Sequence, residues 1–227
     1  MVARLRGFPL LLACASIVPP ALAREPSVTP PASASPRAPE AKRAAEAPRN
    51  ARKGGTPKRG NDKPADAERA AAAYFPDVTL VDQDGRSHRF FSDLLKGKRV
   101  IVNFGFTRCN GACNPITRNL VKVQKALGDR VGRDIVMLTI SVDPARDTPA
   151  SMKEFANKYG AGPGWYFLSG APENVHAVLR RLGADTQNPD EHSTMVLLGD
   201  VPSGTWTKAI AYTPPDELAN AVLRLTE

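Results

Sequence analysis

Val100-Ile-Val-Asn-Phe-Gly-Phe-Thr-Arg-Cys-Asn-Gly-Ala-Cys-Asn-Pro-Ile-Thr-Arg-Asn-Leu120 reads as a strand, a loop with two cysteines, and the opening turns of a helix. The apolar run up to Phe104 suits a strand buried on both faces. From Asn114 onward Ile116, Leu120, Val123 and Leu127 recur on one helical face, and Gly128 stops the pattern. Cys109 and Cys113 therefore stand where a strand hands over to a helix N-terminus. Unpaired N–H groups at such a terminus stabilise anions, so the reading predicts thiols that ionise readily.

Working outward, Val78–Val81 and Ser87–Phe91 flank the turn-rich Asp82-Gln-Asp-Gly85 and read as a hairpin. Ser92–Leu95 is one helical turn. Asp134–Ser141 is a second buried strand, and Thr148-Pro149 opens a helix carrying Met152, Phe155, Ala156 and Tyr159. Trp165–Leu168 is a short strand. A helix from Pro172 turns Val175, Val178, Leu179 and Leu182 inward, with Gly183 behind it. Thr194–Leu198 and Thr205–Ala211 form a closing hairpin, and a last helix runs from Pro215 to about Leu225. A hairpin followed by β-α-β-α-β-α-β-β-α predicts an α/β, three-layer sandwich with parallel strand pairs and an antiparallel edge. With a cysteine pair at the first strand–helix junction, that order is thioredoxin-like. The thiols then lie at the carboxyl ends of the strands, where ligand sites of such sheets collect.

The flanks set the address. Met1–Ala23 has a basic start (Arg4, Arg6), an apolar centre from Phe8 to Val18 and Ala21-Leu-Ala23 as a small-residue cleavage site, the layout of a secretory signal peptide. The expected location is outside the cytoplasm, in a periplasm or cell envelope. Residues 24–73 are rich in Ala, Pro, Lys and Arg with almost no large apolar side chain, and are expected to be a disordered linker. Residues 74–227 form the folded domain. The net charge of +8 sits mostly in the linker, which holds 11 Lys and Arg against 6 Asp and Glu, while the domain holds 18 against 17. A near-neutral domain gives no footing for nucleic-acid binding. The basic linker suits a solvated tether that touches anionic membrane surfaces weakly. Of three cysteines, Cys14 leaves with the signal peptide, so the remaining two can pair in an oxidising compartment without an odd thiol.

Cys109 and Cys113 are four residues apart, which on helical geometry puts both sulfurs on one face. That arrangement suits a two-thiolate clamp for a soft ion such as Cu(I). A disulfide across the same gap closes a very small loop, contributes little stability and is easily reduced, so redox switching of the dithiol stays open as a second use. His192 begins an apolar strand after the polar Asn188-Pro-Asp-Glu191. It could reach the cysteine loop, although residue chemistry alone favours a surface or capping role. His88 is expected exposed in the first hairpin, and His176 packed or solvated beside its helix's apolar stripe. In Val142-Asp-Pro-Ala-Arg-Asp-Thr-Pro149, Asp147 or Thr148 caps the following helix and Arg146 pairs with Asp143. Met195 reads as core.

Phe104-Gly-Phe-Thr-Arg-Cys109 with Cys113, then Ser141-Val-Asp-Pro-Ala-Arg-Asp-Thr-Pro149, Trp165 with Phe167-Leu-Ser-Gly170, and His192-Ser-Thr194 together resemble the Sco/SenC family. The resemblance runs from about Phe75 to Leu225. It implies a thioredoxin-like fold and copper, as Cu(I) or Cu(II), bound by Cys109, Cys113 and His192. It also implies a metallochaperone that delivers copper to the dinuclear copper centre of cytochrome c oxidase, or keeps that centre's thiols reduced. The implied partners are the copper-receiving subunit or another envelope copper protein, and a thiol reductant, with the chain itself a monomer. The alternative is a thiol–disulfide oxidoreductase in which Cys109 attacks and Cys113 resolves, without copper. Three features depart from the pattern. Asn110 and Asn114 stand where the family usually has Pro, the hairpin from Gly199 to Ala211 is atypical, and the membrane helix that many members keep is not apparent.

Overall fold

The computed structural model describes residues 63–226. Helix α1 (Lys63–Tyr74) leads into a small hairpin, β1 (Thr79–Val81) and β2 (Ser87–Arg89), and one wide helical turn, Phe90–Leu95. The core then alternates: β3 (Arg99–Gly105), α2 (Cys113–Leu127), β4 (Ile135–Ser141), α3 (Pro149–Tyr159), β5 (Trp165–Leu168) and α4 (Pro172–Leu182). It closes with β6 (Met195–Asp200), β7 (Thr205–Ile210) and α5 (Pro215–Leu223). The main sheet has the order β5-β4-β3-β6-β7. Strands β3, β4 and β5 run parallel, and β6 and β7 add an antiparallel edge as the sequence reading expects.

This order fixes the layers. The crossovers β3-α2-β4 and β4-α3-β5 join parallel strands and step the same way across the sheet, so right-handed connections put α2 and α3 on one face. Strands β3 and β4 are buried almost throughout, with Val100, Ile101, Val102, Ile135, Leu138 and Ile140 at the centre. The buried polar atoms among them are paired. Thr139 Oγ1 donates to Asn103 Oδ1 at 2.7 Å and accepts from Trp165 Nε1 at 2.9 Å, forming a chain across three strands.

The linker boundary needs correction. Residues 63–73 form α1 rather than a disordered tail, with Ala71 and Phe75 buried. The Phe75 ring lies 5.2 Å from Trp206, and the Tyr74 hydroxyl donates to the Arg181 carbonyl at 2.8 Å. The alanine run Ala70–Ala73 lacked bulk to signal a core, yet Ala is the strongest helix former and one buried methyl row suffices against an aromatic anchor. The predicted signal peptide (1–23) and residues 24–62 of the predicted linker lie outside the described residues. Among the described residues no helix is long and apolar enough to cross a membrane.

Candidate metal centre

The site forms where β3 ends. The chain leaves the sheet at Gly105, turns with Cys109 N–H donating to the Phe106 carbonyl at 3.3 Å, and starts α2 at Cys113. Cys109 thus precedes the helix instead of sharing its face. The loop turn, not an i, i+4 helical stripe, brings the sulfurs together, and Cys113 N–H points at Cys109 Sγ at 3.4 Å. Both cysteines are free thiols, 8% and 3% exposed.

From the sheet's antiparallel side comes His192. A short turn, Pro189–Glu191, is held by Asn188, whose side chain accepts from Asp190 N–H at 3.2 Å, and His192 follows it directly before β6. His192 Nε2 stands 3.2 Å from Cys113 Sγ. Its Nδ1 lies 3.0 Å from the Ser193 carbonyl oxygen, which can only accept, so Nδ1 carries the ring proton and Nε2 offers its lone pair to the cysteines. The ring meets Phe106 edge-on at 5.9 Å. One donor atom from each of Cys109, Cys113 and His192 falls within 4.8 Å of the others, and this is the described grouping of metal-ligating side chains.

The readily ionised thiol expected at the helix N-terminus is not what Cys113 is. Burial, reinforced by the hydrogen bond with Cys109, pushes its thiol up to about 12. Desolvation outweighs the backbone hydrogen bonds that pull the other way. The thiol is therefore neutral in the metal-free protein. Two sulfurs and one imidazole nitrogen, converging and dry, match the preference of Cu(I) for soft donors; a structural zinc site would want a fourth ligand.

Sequence reasoning missed what holds the loop. Asp147 does not cap α3; Thr148 does, accepting from Ser151 N–H at 3.2 Å while Thr148 N–H donates to Ser151 Oγ. Asp147 is 3% exposed and accepts from Thr107 N–H at 3.2 Å, Thr107 Oγ1 at 2.6 Å and Ser141 Oγ at 2.6 Å. It ties the cysteine loop to the end of β4. An acid one residue ahead of a sufficient Thr cap was the available clue. Arg146 does pair with Asp143, at 3.4 Å. Gly105 was missed too: a Cβ there would stand 3.3 Å from Cys113 Sγ.

The other histidines lie elsewhere. His88 was expected exposed but is half-buried, with Nε2 2.8 Å from Asp82 Oδ2. His176 Nδ1 lies 2.7 Å from Asp185 Oδ1 on the surface of α4. Met195 is only partly buried at the start of β6.

Comparison with known proteins bears on the family and the fold. The SCO1/SenC family pattern matches residues 66–227. The SCO2-like protein of Rickettsia felis is 30% identical over 134 residues, which cover 55% of this chain and 63% of that protein, so the match spans less than two thirds of that relative. The structure of Bradyrhizobium japonicum ScoI with copper bound superposes with a TM-score of 0.55 at 29% identity, covering 65% of this chain and 96% of ScoI. BsSco, a member of the Sco family of cytochrome c oxidase assembly proteins in which a disulfide switch was identified, gives 0.53 at 28% identity over 65% of this chain and 90% of its own. The order of strands, the two-cysteine loop and the matched span point one way: this thioredoxin-like chain belongs to the SCO1/SenC family.

Proposed function

We propose that this protein is a copper carrier of the cell envelope. It takes up copper on Cys109, Cys113 and His192 and passes it to the dinuclear copper centre of a cytochrome c oxidase or to another envelope copper protein. The observation that carries the reading is the convergence of Cys113 Sγ and His192 Nε2 at 3.2 Å, with Cys109 Sγ in the same 4.8 Å cluster. Family membership supports it, as does the copper bound by ScoI. The location follows from the leader-like Met1–Ala23.

The chain's residues divide the work. The Ser193 carbonyl fixes the tautomer of His192, so a lone pair already faces the incoming ion. Phe106 closes the site beside that ring and limits water. Cys113 gives up its proton when the ion arrives and recovers it when the ion leaves, so loading and release are proton-coupled. A partner whose own thiolates complete the ion's coordination sphere can then draw it out.

A second reading is maintenance of the partner's thiols by dithiol exchange, and the free, adjacent Cys109 and Cys113 favour it. The buried, protonated Cys113 is a poor attacking thiol, which leaves Cys109 as the nucleophile and Cys113 as the resolving group. Titration of the reduced protein with Cu(I) separates the readings. The carrier requires a tight equimolar complex that Cys109→Ser and His192→Ala each destroy. Retention of that complex in both variants removes the assigned site, whereas thiol exchange without any copper affinity installs the second reading.

A further inference from the structure

The start of α2 carries Cys113, yet it lacks the usual local devices for fixing a helix start. Ala112 at the N-cap has no side-chain acceptor, and the first turn holds no acidic residue. Pro115 fixes its own φ within the turn but brings no N–H that a cap could bind. Cys113 N–H meets only the sulfur of Cys109, and Thr117 Oγ1 bonds the Cys113 carbonyl at 2.7 Å from within the same helix.

What reaches this turn from another helix is Tyr159, the last residue of α3. Its hydroxyl donates to Asn114 Oδ1. Four residues along α2, the Arg118 guanidinium lies over the same ring, 5.8 Å from its centroid. Asn114 and Arg118 are stacked neighbours on one helical face, so they grip the hydroxyl and the face of a single tyrosine. Tyr159 is itself fixed by the Phe155 ring at 4.9 Å.

The tolerance is small. Cys113 Sγ stands 3.2 Å from His192 Nε2 on one side, and on the other it leaves no more than close-contact space at Gly105. A slight rotation of the first turn moves the sulfur by several tenths of an ångström. We infer that Asn114 and Tyr159 are a positioning pair, setting the rotation of the first turn of α2 and thereby the place of Cys113 Sγ in the metal centre. Where the family usually fixes this backbone with a proline, this chain uses a side-chain tether to α3. The inference rests on the copper reading for its functional meaning, and its tests do not all need copper.

Cu(I) affinity of the whole reduced chain is measured by competition with a chromophoric Cu(I) chelator. Asn114→Ala and Tyr159→Phe are each expected to weaken binding about tenfold, the loss typical of an outer-shell partner. The double variant is expected to bind no more weakly than either single one, because both remove the same bond. Asn114→Asp, which keeps an acceptor in place, is expected to restore most of the affinity. Additive losses, or a lowered melting midpoint with unchanged Cu(I) affinity, overturn the inference.

A copper-free arm equilibrates the protein with glutathione and glutathione disulfide. The Cys109 and Cys113 thiols give two electrons and two protons to glutathione disulfide, forming the protein disulfide and two glutathione thiols. Tyr159→Phe releases Cys113 from its reduced-state position and is expected to shift this equilibrium toward the protein disulfide by roughly threefold or more. An unchanged equilibrium counts against the pair. A wild-type chain that binds no Cu(I) defeats the proposed function, while this second arm still decides the inference.

Discussion

Two histidines in this molecule have nearly the same surroundings and opposite prospects. His88 in the β1–β2 hairpin presents Nε2 to Asp82 at 2.8 Å and its ring edge-on to Tyr166 at 5.2 Å. His192 presents Nε2 to Cys113 at 3.2 Å and its ring edge-on to Phe106 at 5.9 Å. The difference lies in the partner. Asp82 already accepts from the N–H groups of Asp84 and Arg86, at 2.8 and 2.9 Å, so its oxygens are occupied by the turn they build. The sulfurs of Cys109 and Cys113 instead converge with His192 Nε2 in one cluster, and the contact reaching Cys109 Sγ is a long one from the Cys113 N–H, at 3.4 Å. A half-buried histidine with an occupied acidic neighbour is a structural feature; a buried histidine facing two sulfurs is a candidate binding site.

The largest effect expected from this contrast comes from exchanging the two histidines' fates by mutation. His192→Ala is expected to weaken Cu(I) binding more than ~100-fold, beyond the range for loss of an outer-shell partner. His88→Ala is expected to leave Cu(I) affinity unchanged and to destabilise the fold by about 1–2 kcal/mol, because Asp82 loses a charge-assisted partner. Chelator competition and denaturant unfolding on both variants give the answer. A copper defect in His88→Ala, or none in His192→Ala, would break the distinction.

The two regions also differ in how far sequence alone reveals them. The hairpin is local: Asp82-Gln-Asp-Gly85 announces a turn, and its hydrogen bonds close within six residues. Even so, the exposure expected for His88 was wrong, because Tyr166 packs on it from β5. At the metal centre the strand, the loop and the helix were legible from periodicity. The pairing of His192 with Cys113 spans 79 positions and was reached only through family resemblance. Capping is a short-range rule, so Asp147 or Thr148 was offered as the cap and Thr148 proved to be it, whereas the Asp147 partners Thr107 and Ser141 become neighbours only once β3 and β4 pair. The ionisation of Cys113 was misjudged for a related reason: helix-end electrostatics can be read from sequence, and the degree of burial that outweighs them cannot.

The aspartates sharpen the comparison at the next scale. Asp82 and Asp147 are both buried hubs accepting from three donors. Replacing either with Ala leaves those donors unpaired and should cost about 2–4 kcal/mol of stability. Only Asp147→Ala should also weaken Cu(I) binding, by about tenfold, because it frees the loop that carries Cys109. Equal copper affinity in the two variants would mean that the loop needs no anchor.

Proton linkage gives a graded effect confined to the metal centre. The folded protein holds the Cys113 proton up to about 12, against an ordinary value of 9.0. The stability this contributes is complete below pH 9 and is lost as the pH rises toward 12. Cu(I) affinity should move the other way, rising with pH as the competing proton is removed. The stability difference between the reduced, metal-free protein and Cys113→Ser should therefore change across pH 9–12 and stay flat below it. A flat difference throughout would place the Cys113 thiol in a wetter site than its 3% exposure describes.

The smallest effect tests the contrast with one chemical change made in both regions. At Gly85 in the hairpin turn φ is +78° and an added Cβ meets nothing within 4 Å, so Gly85→Ala carries only backbone strain, roughly 1–2 kcal/mol. Gly105 has ordinary strand geometry, but an added Cβ would press on Cys113 Sγ at 3.3 Å. The sulfur can yield by a few tenths of an ångström, so Gly105→Ala should cost about 1 kcal/mol or less in stability. The same displacement moves Cys113 relative to His192, and Cu(I) affinity should fall by a few-fold, still under about tenfold. The hairpin variant is thus expected to lose more stability and no copper binding, and the strand variant less stability and some copper binding. If Gly105→Ala binds Cu(I) as tightly as wild type, Cys113 adjusts freely, and the close packing behind it serves the core rather than the metal.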